Sequence, residues 1–133
     1  MRATIPASEP LTERERALLH EGVRLNNSGA FFQAHEVLEE AWEPCRSSNR
    51  RFLQALIHIA VGNHHAHRGN TAGMERQFAK AIAKLGPHSP QHEGIDVGRL
   101  AEAATTAIRL ARESGAASGQ ARVEIPLTKG SFD

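Results

Sequence analysis

The sequence predicts an all-α, single-domain protein, a bundle of about five helices followed by an extended C-terminal tail. Three observations carry this. Five stretches of three turns or more repeat their apolar residues at helical spacing and are bounded by capping residues, glycines or prolines. One of them is apolar nearly all round its middle, as a helix covered on several sides must be. Only one short segment alternates like a strand, and the chain holds no second such segment to pair with it.

Residues 1–10 contain Pro6 and Pro10 without periodicity and form a flexible N-terminal arm; the helical domain spans 11–114 and the tail 115–133. Thr12 with Glu15 is a capping box that opens helix A, about 12–27, with Leu11, Leu18, Gly22 and Leu25 on one face. Asn26 to Gly29 end it. Helix B, about 30–43, places Phe31, His35, Leu38 and Trp42 within about 60° of one another, with Ala34 and Ala41 widening that stripe. Gln33, Glu36, Glu40 and Glu43 lie opposite, and Pro44 stops the helix. Ser47 or Ser48 caps helix C, about 48–68, whose centre runs Phe52-Leu53-Gln54-Ala55-Leu56-Ile57-His58-Ile59-Ala60-Val61. Thr71 is placed to cap helix D, about 72–85, with Met74, Phe78, Ala81 and Leu85 inward. After the loop Gly86-Pro87-His88-Ser89-Pro90, Asp96 caps helix E, about 97–113, with Val97, Leu100, Ala104, Ile108 and Ala111 inward. Gly115 to Gly119 has a flexible composition, and Val123 to Leu127 reads as an extended segment lying on the bundle or pairing with another chain. Gly29-Ala30 and Gly69-Asn70 stand 40 residues apart, aligning Leu38 with Phe78, Ala41 with Ala81 and Trp42 with Ile82. That is the rhythm of tetratricopeptide-like helical hairpins, in too few copies for a solenoid.

Bulk chemistry narrows the function classes. The chain has 133 residues, 16 Lys+Arg against 15 Asp+Glu, and a formal net charge of +1, which leaves no electrostatic footprint for a nucleic-acid backbone or an anionic membrane. Arg50-Arg51 has no aromatic neighbours arranged for stacking on bases, so no nucleic-acid partner is expected. No stretch reaches the length of a membrane span and the N-terminus lacks a signal-peptide pattern, so a cytoplasmic protein is expected. Cys45, the single cysteine, cannot form an internal disulfide, fits a reducing compartment and reads as a spare thiol. Eight histidines against this charge make the chain acid-sensitive.

Histidine also marks the candidate site. His35 lies in the apolar stripe of helix B with Glu39 one turn later, and Gln54, His58, Val61 and His65 share a stripe on helix C. A short loop makes B and C antiparallel, so residues at one height have a constant sum of numbers. His35, Glu39, Gln54 and His58 are therefore expected to meet across one seam, with His65 two turns further along. Three readings follow. The first is a hydrogen-bonded polar cluster that fixes helix pairing. The second is an open site for a divalent transition metal held by His35, Glu39 and His58, in a hydrolase-like enzyme. The third is a small-molecule or acid–base pocket using a His–Glu pair. His35-Glu36-Val37-Leu38-Glu39 is not the zinc-protease motif, since Glu39 stands where its second histidine belongs. His64, His65 and His67 end helix C, where the helix dipole favours imidazoles.

The run from Gly29 to Trp42, GAFFQAHEVLEEAW, together with Leu53 to Ala60, LQALIHIA, and Arg68-Gly69-Asn70, resembles the bacterial and archaeal family called domain of unknown function 309. The resemblance covers about residues 14–85. It implies a small, partly open helical bundle, a largely prokaryotic cytoplasmic protein and no established activity. The motif residues that it carries over are His35, Glu36, Glu39, Trp42, Gln54, Gly69 and Asn70, with Ala55 standing where the family is expected to have glycine. The reading that results is a non-catalytic binding or interaction module, with an unidentified protein or small molecule as partner and helix faces to spare for a homodimer. The metal-dependent enzyme is its alternative.

Overall fold

The computed structural model describes residues 10–115 and 122–128. Residues 1–9, most of the expected N-terminal arm, and 116–121, most of the glycine-bounded stretch, lie outside them. Five helices are present: α1 (Glu13–Asn27), α2 (Phe31–Trp42), α3 (Asn49–His67), α4 (Thr71–Leu85) and α5 (Val97–Ser114). Each packs chiefly against a neighbour in sequence, most closely within the α1–α2 and α3–α4 pairs. Short connections make α1–α2 and α3–α4 antiparallel hairpins.

The helix starts follow local chemistry. Thr12 Oγ1 accepts from the Glu15 N–H at 3.0 Å, and Glu15 Oε1 accepts from the Thr12 N–H at 3.0 Å, completing the expected capping box. Asp96 caps α5 through the Arg99 N–H at 3.1 Å. Two caps differ from expectation. Asn70, one residue before Thr71, caps α4 by accepting from the Gly73 N–H at 2.9 Å. Asn70 stands at the true boundary, where its amide oxygen reaches the Gly73 N–H, whereas Thr71 is already helical. Ser48 occupies the cap position of α3 but does not cap it through its side chain, and Ser47 Oγ accepts from the Asn49 N–H at 3.1 Å.

The 40-residue rhythm is a packing device. Gly29 and Gly69 end α1 and α3 with φ of +94° and +76°, backbone that suits glycine. In the first hairpin a Cβ on Gly22 would stand 2.5 Å from the Leu38 side chain, and in the second a Cβ on Gly62 would collide with the Phe78 ring. Leu38 and Phe78 are the pair that the repeat aligns. In each hairpin a glycine of the first helix receives a large side chain of the second. Ala55 is fully buried, but the close approach to α3 comes at Gly62.

The core runs along the α3–α4 pair, with Phe52, Leu53, Leu56, Ile59, Met74, Phe78 and Leu85 almost fully buried. Cys45 joins it, its Sγ 3.6 Å from Ser47 Oγ. On α1 the buried face is Leu19, Gly22, Val23 and Asn26, one residue round from the expected Leu18, Gly22 and Leu25. The rotation brings Asn26 inward, where it has partners. On α5, Ile108 is half-buried and the other expected core residues are buried.

The expectation that the tail has no partner strand does not hold. Gln91–His92 and Ile95–Asp96 form a two-residue hairpin, and Leu127 bridges Ile95 in antiparallel sense. The turn uses Glu93 and Gly94 at φ of 48° and 79°, a geometry usually announced by asparagine or aspartate before the glycine. With glutamate there, the hairpin leaves little trace in the sequence.

Gly62→Ala and Gly22→Ala are each expected to destabilise the fold by roughly 1–3 kcal/mol through overpacking, read as a lower urea midpoint with helical circular dichroism retained. Alanine at both positions without cost would contradict the proposed hairpin packing.

Candidate functional site

α2 buries Phe31, Ala34, Leu38 and Ala41. His35, Glu39 and Trp42 lie at the border of that stripe, half-buried, rather than in its middle. The small alanines set the centre of the contact, which leaves the imidazole on the edge. His35 Nε2 contacts Glu39 Oε1 across one helical turn, the pairing that their spacing predicts. His35 Nδ1 and Trp42 Nε1 are buried without a hydrogen-bond partner. Buried polar nitrogens are normally paired, so this edge of α2 has unmet hydrogen-bonding capacity.

The group that faces His35 from α3 is not His58. Phe31, Phe32, His35, Val61 and His64 line a cleft of about 120 Å³ at this edge. Phe32, 55% exposed, stacks its ring 5.5 Å from His35 and 5.9 Å from His64. His67 meets Phe31 edge-on at 6.4 Å. Burial lowers the His64 pKa, with Arg68, His65, His67 and His35 adding to the effect. At the other end of the seam, Arg50 lies 4.0 Å over the Trp42 ring and donates to the carbonyls of Trp42, Glu43 and Cys45, closing the C-terminus of α2.

His58 turns to α4. Its Nδ1 lies 2.8 Å from Gln77 Oε1 and its Nε2 3.2 Å from Lys84 Nζ. An ammonium can only donate, so Nε2 supplies the lone pair and Nδ1–H donates to Gln77, which makes the imidazole neutral. Burial lowers its pKa; Gln77 opposes this, and Lys84 and Lys80 add to the lowering. Lys84 is lowered too, by burial and by Arg51 and Lys80. His65 also faces α4, with Nδ1 3.2 Å from Asn70 Nδ2 and its ring against Gly73. Gln54 is half-buried and has no described partner that joins it to His35.

The expected meeting of His35, Glu39, Gln54 and His58 on one seam is therefore corrected: His35 and Glu39 pair with each other, while His58 and His65 serve the α3–α4 contact. The constant-sum argument places residues at the right height but leaves the rotation of α3 open. A helix apolar nearly all round offers no sequence signal for that rotation. Val61, His64 and Arg50 face α2, and the mean direction of Gln54, His58 and His65 lies about 70° round from theirs, with Val61 at the border between the two sets. Among the described residues no three His, Cys, Asp or Glu side chains are grouped as metal ligands.

Sequence reasoning missed two features. Phe52 gathers His88 and His92, with ring separations of 5.2 and 4.6 Å and 4.7 Å between the imidazoles, and His92 Nε2 lies 2.5 Å from Asn49 Oδ1. The second is a set of asparagines under the tail. Asn63, fully buried, donates to Val123 O at 2.8 Å and to Asn26 Oδ1 at 2.9 Å, and accepts from Val123 N–H at 2.7 Å. Asn27 accepts from Ile125 N–H at 2.8 Å and donates to Ile125 O at 3.0 Å. A polar residue amid the apolar run of α3 was the available signal.

Taken together these features define a small helical-hairpin domain with a histidine-lined aromatic cleft on one edge and an amide clasp on another. Residues 19–77, from α1 into α4, match the family described as "Domain of unknown function (DUF309)". The chain is 39% identical over 75 residues to an uncharacterized protein, YpuF, of Bacillus subtilis, a match covering 54% of this chain and 43% of the relative. It is 28% identical over 88 residues to an uncharacterized protein of Aquifex aeolicus, covering 65% of this chain and 26% of the relative. The matches thus span less than half the length of these curated relatives.

Acid is expected to destabilise the protein. His20, His58, His64, His88 and His92 all have pKa values lowered from the ordinary 6.5, chiefly by burial. Below pH 6.5 the unfolded chain binds protons that the folded chain refuses, so stability is full above that pH and is lost as pH falls through it. The urea midpoint should hold from pH 8 to 7 and fall between 6.5 and 5, less steeply in His58→Gln and His92→Gln. A midpoint that rises on acidification would contradict this reading.

Proposed function

We propose that this protein is a non-catalytic binding module whose docking face is the α2–α3 edge around Phe32, His35 and His64. One observation carries the reading: a large aromatic side chain stands exposed over an apolar cleft, beside a buried imidazole nitrogen with no partner. Exposed aromatics beside unmet polar groups are the features of binding anchors. The Glu39 carboxylate contacts His35 Nε2 and orients the ring, leaving Nδ1 at the α2–α3 edge without a partner. The ligand this edge suits is an apolar or aromatic group on a protein or small molecule, with a hydrogen-bonding group beside it.

His58, the third residue of the metal-enzyme alternative, is engaged by Gln77 and Lys84, and that geometry favours binding over catalysis. The single buried thiol of Cys45 supports a cytoplasmic setting. The exposed Leu110 and Leu127 provide apolar surface on which two copies of the chain can associate. Among the described residues no helix is long and apolar enough to cross a membrane.

The test is recovery of a specific complex on the immobilised full chain in the presence of EDTA. Phe32→Asp should abolish it, and the exposed control Glu102→Lys should leave it intact. A complex that survives Phe32→Asp, or that EDTA dissolves, would contradict the proposal.

A further inference from the structure

The C-terminal segment is held in the manner of a bound peptide. In an extended chain, alternate residues present both N–H and C=O to the same side. Val123 and Ile125 present theirs to the helices, and each meets one asparagine side chain that both donates and accepts. Asn63 of α3 pairs with Val123, and Asn27 of α1 pairs with Ile125. Asn26 braces the two, donating to Val123 O at 3.2 Å and to Asn27 Oδ1 at 3.1 Å while receiving Asn63. On the opposite side Pro126 O accepts from the Asp96 N–H at 2.8 Å and the Thr128 N–H donates to Gly94 O at 2.9 Å. An asparagine amide sets an N–H donor and a C=O acceptor side by side, as a strand residue does. Two helices and a hairpin thus provide both borders of a sheet slot.

The slot also reads side chains. Val123 and Ile125 are buried, Glu124 points to solvent, and Pro126 supplies only the carbonyl that the hairpin uses. At Leu127 the fit loosens: the side chain is 40% exposed beside an open cleft of about 490 Å³ lined by His20, Val23, Arg24, Asn27 and Ser28. A residue larger than leucine fits there. The three asparagines lie within the family-matched segment 19–77, and the segment that fills their slot lies outside it.

We propose that Asn26, Asn27 and Asn63 form a recognition site for an extended peptide, with β-branched residues two apart followed by proline and a large apolar residue. The chain's own residues 122–128 are its resident, exchangeable occupant. Main-chain pairing gives such a site affinity and the alternate side-chain pockets give it selectivity. A competing segment with a bulkier side chain in the Leu127 position displaces the tail and frees it.

The test uses the full chain with a protease recognition sequence inserted within 116–121 and cut after folding. A labelled synthetic peptide of residues 122–128 should replace the cut segment saturably. N-methylation of its Val123 nitrogen, which removes only the donor to Asn63, should weaken competition about tenfold or more. Tryptophan in place of Leu127 should compete at least as well as the parent. A cut segment that never exchanges, a folded cut chain that does not bind the peptide, or equal competition by the N-methylated peptide would overturn the proposal. Should the insertion prevent folding, the uncut Ile125→Asp chain decides: saturable binding of the peptide supports the site, and no binding by the folded chain overturns it.

Discussion

Asn63 places a fully buried amide in the most apolar helix of the molecule, and α1, α3 and the C-terminal segment meet at it. An unpaired amide there would cost more than the surrounding packing readily offsets, so its three hydrogen bonds must form together. Forming them sets the rotation of α3 about its own axis. Once Asn63 faces α1 and the tail, its neighbour Gly62 faces Phe78 on α4, and Val61 and His64 turn toward Phe32 on α2. Apolar burial alone would tolerate several rotations of a helix this uniform; the amide selects one.

That selection separates the molecule into surfaces with different chemistry. The α2 edge carries an exposed aromatic ring, a His–Glu pair and unmet hydrogen-bonding capacity. The α4 side of α3 carries a neutral imidazole held between an amide and an ammonium, an arrangement suited to joining helices. The α1 side carries the amide clasp. Histidines thus appear in structural and exposed settings within a few residues of one another, and their positions on the helix circumference decide which is which.

Much of the fold was legible in the sequence because it is locally determined. Thr12 with Glu15, Asp96 before α5, and the spacing of Met74, Phe78, Ala81 and Leu85 all act within one or two turns. The 40-residue echo was legible too, although its cause, the fit of Leu38 and Phe78 over Gly22 and Gly62, emerges only from the packed hairpins. The candidate site was legible in part. His35 with Glu39 follows from helical spacing, whereas the partner across the seam depends on the rotation of α3. Periodicity is silent on that point where nearly every residue is apolar. Asn26, Asn27 and Asn63 read as a helix end and a stray polar residue because their partners lie 60 or more residues away, in a segment with no strand pattern to answer it.

The unfolding free energy of Asn63→Ala measures this dependence most directly. Removing the side chain strands the Val123 N–H and Asn26 Oδ1 in a buried setting and loosens the choice of rotation, so a loss of roughly 2–4 kcal/mol is expected. A variant within about 0.5 kcal/mol of the parent would show that packing alone orients α3, contradicting the account.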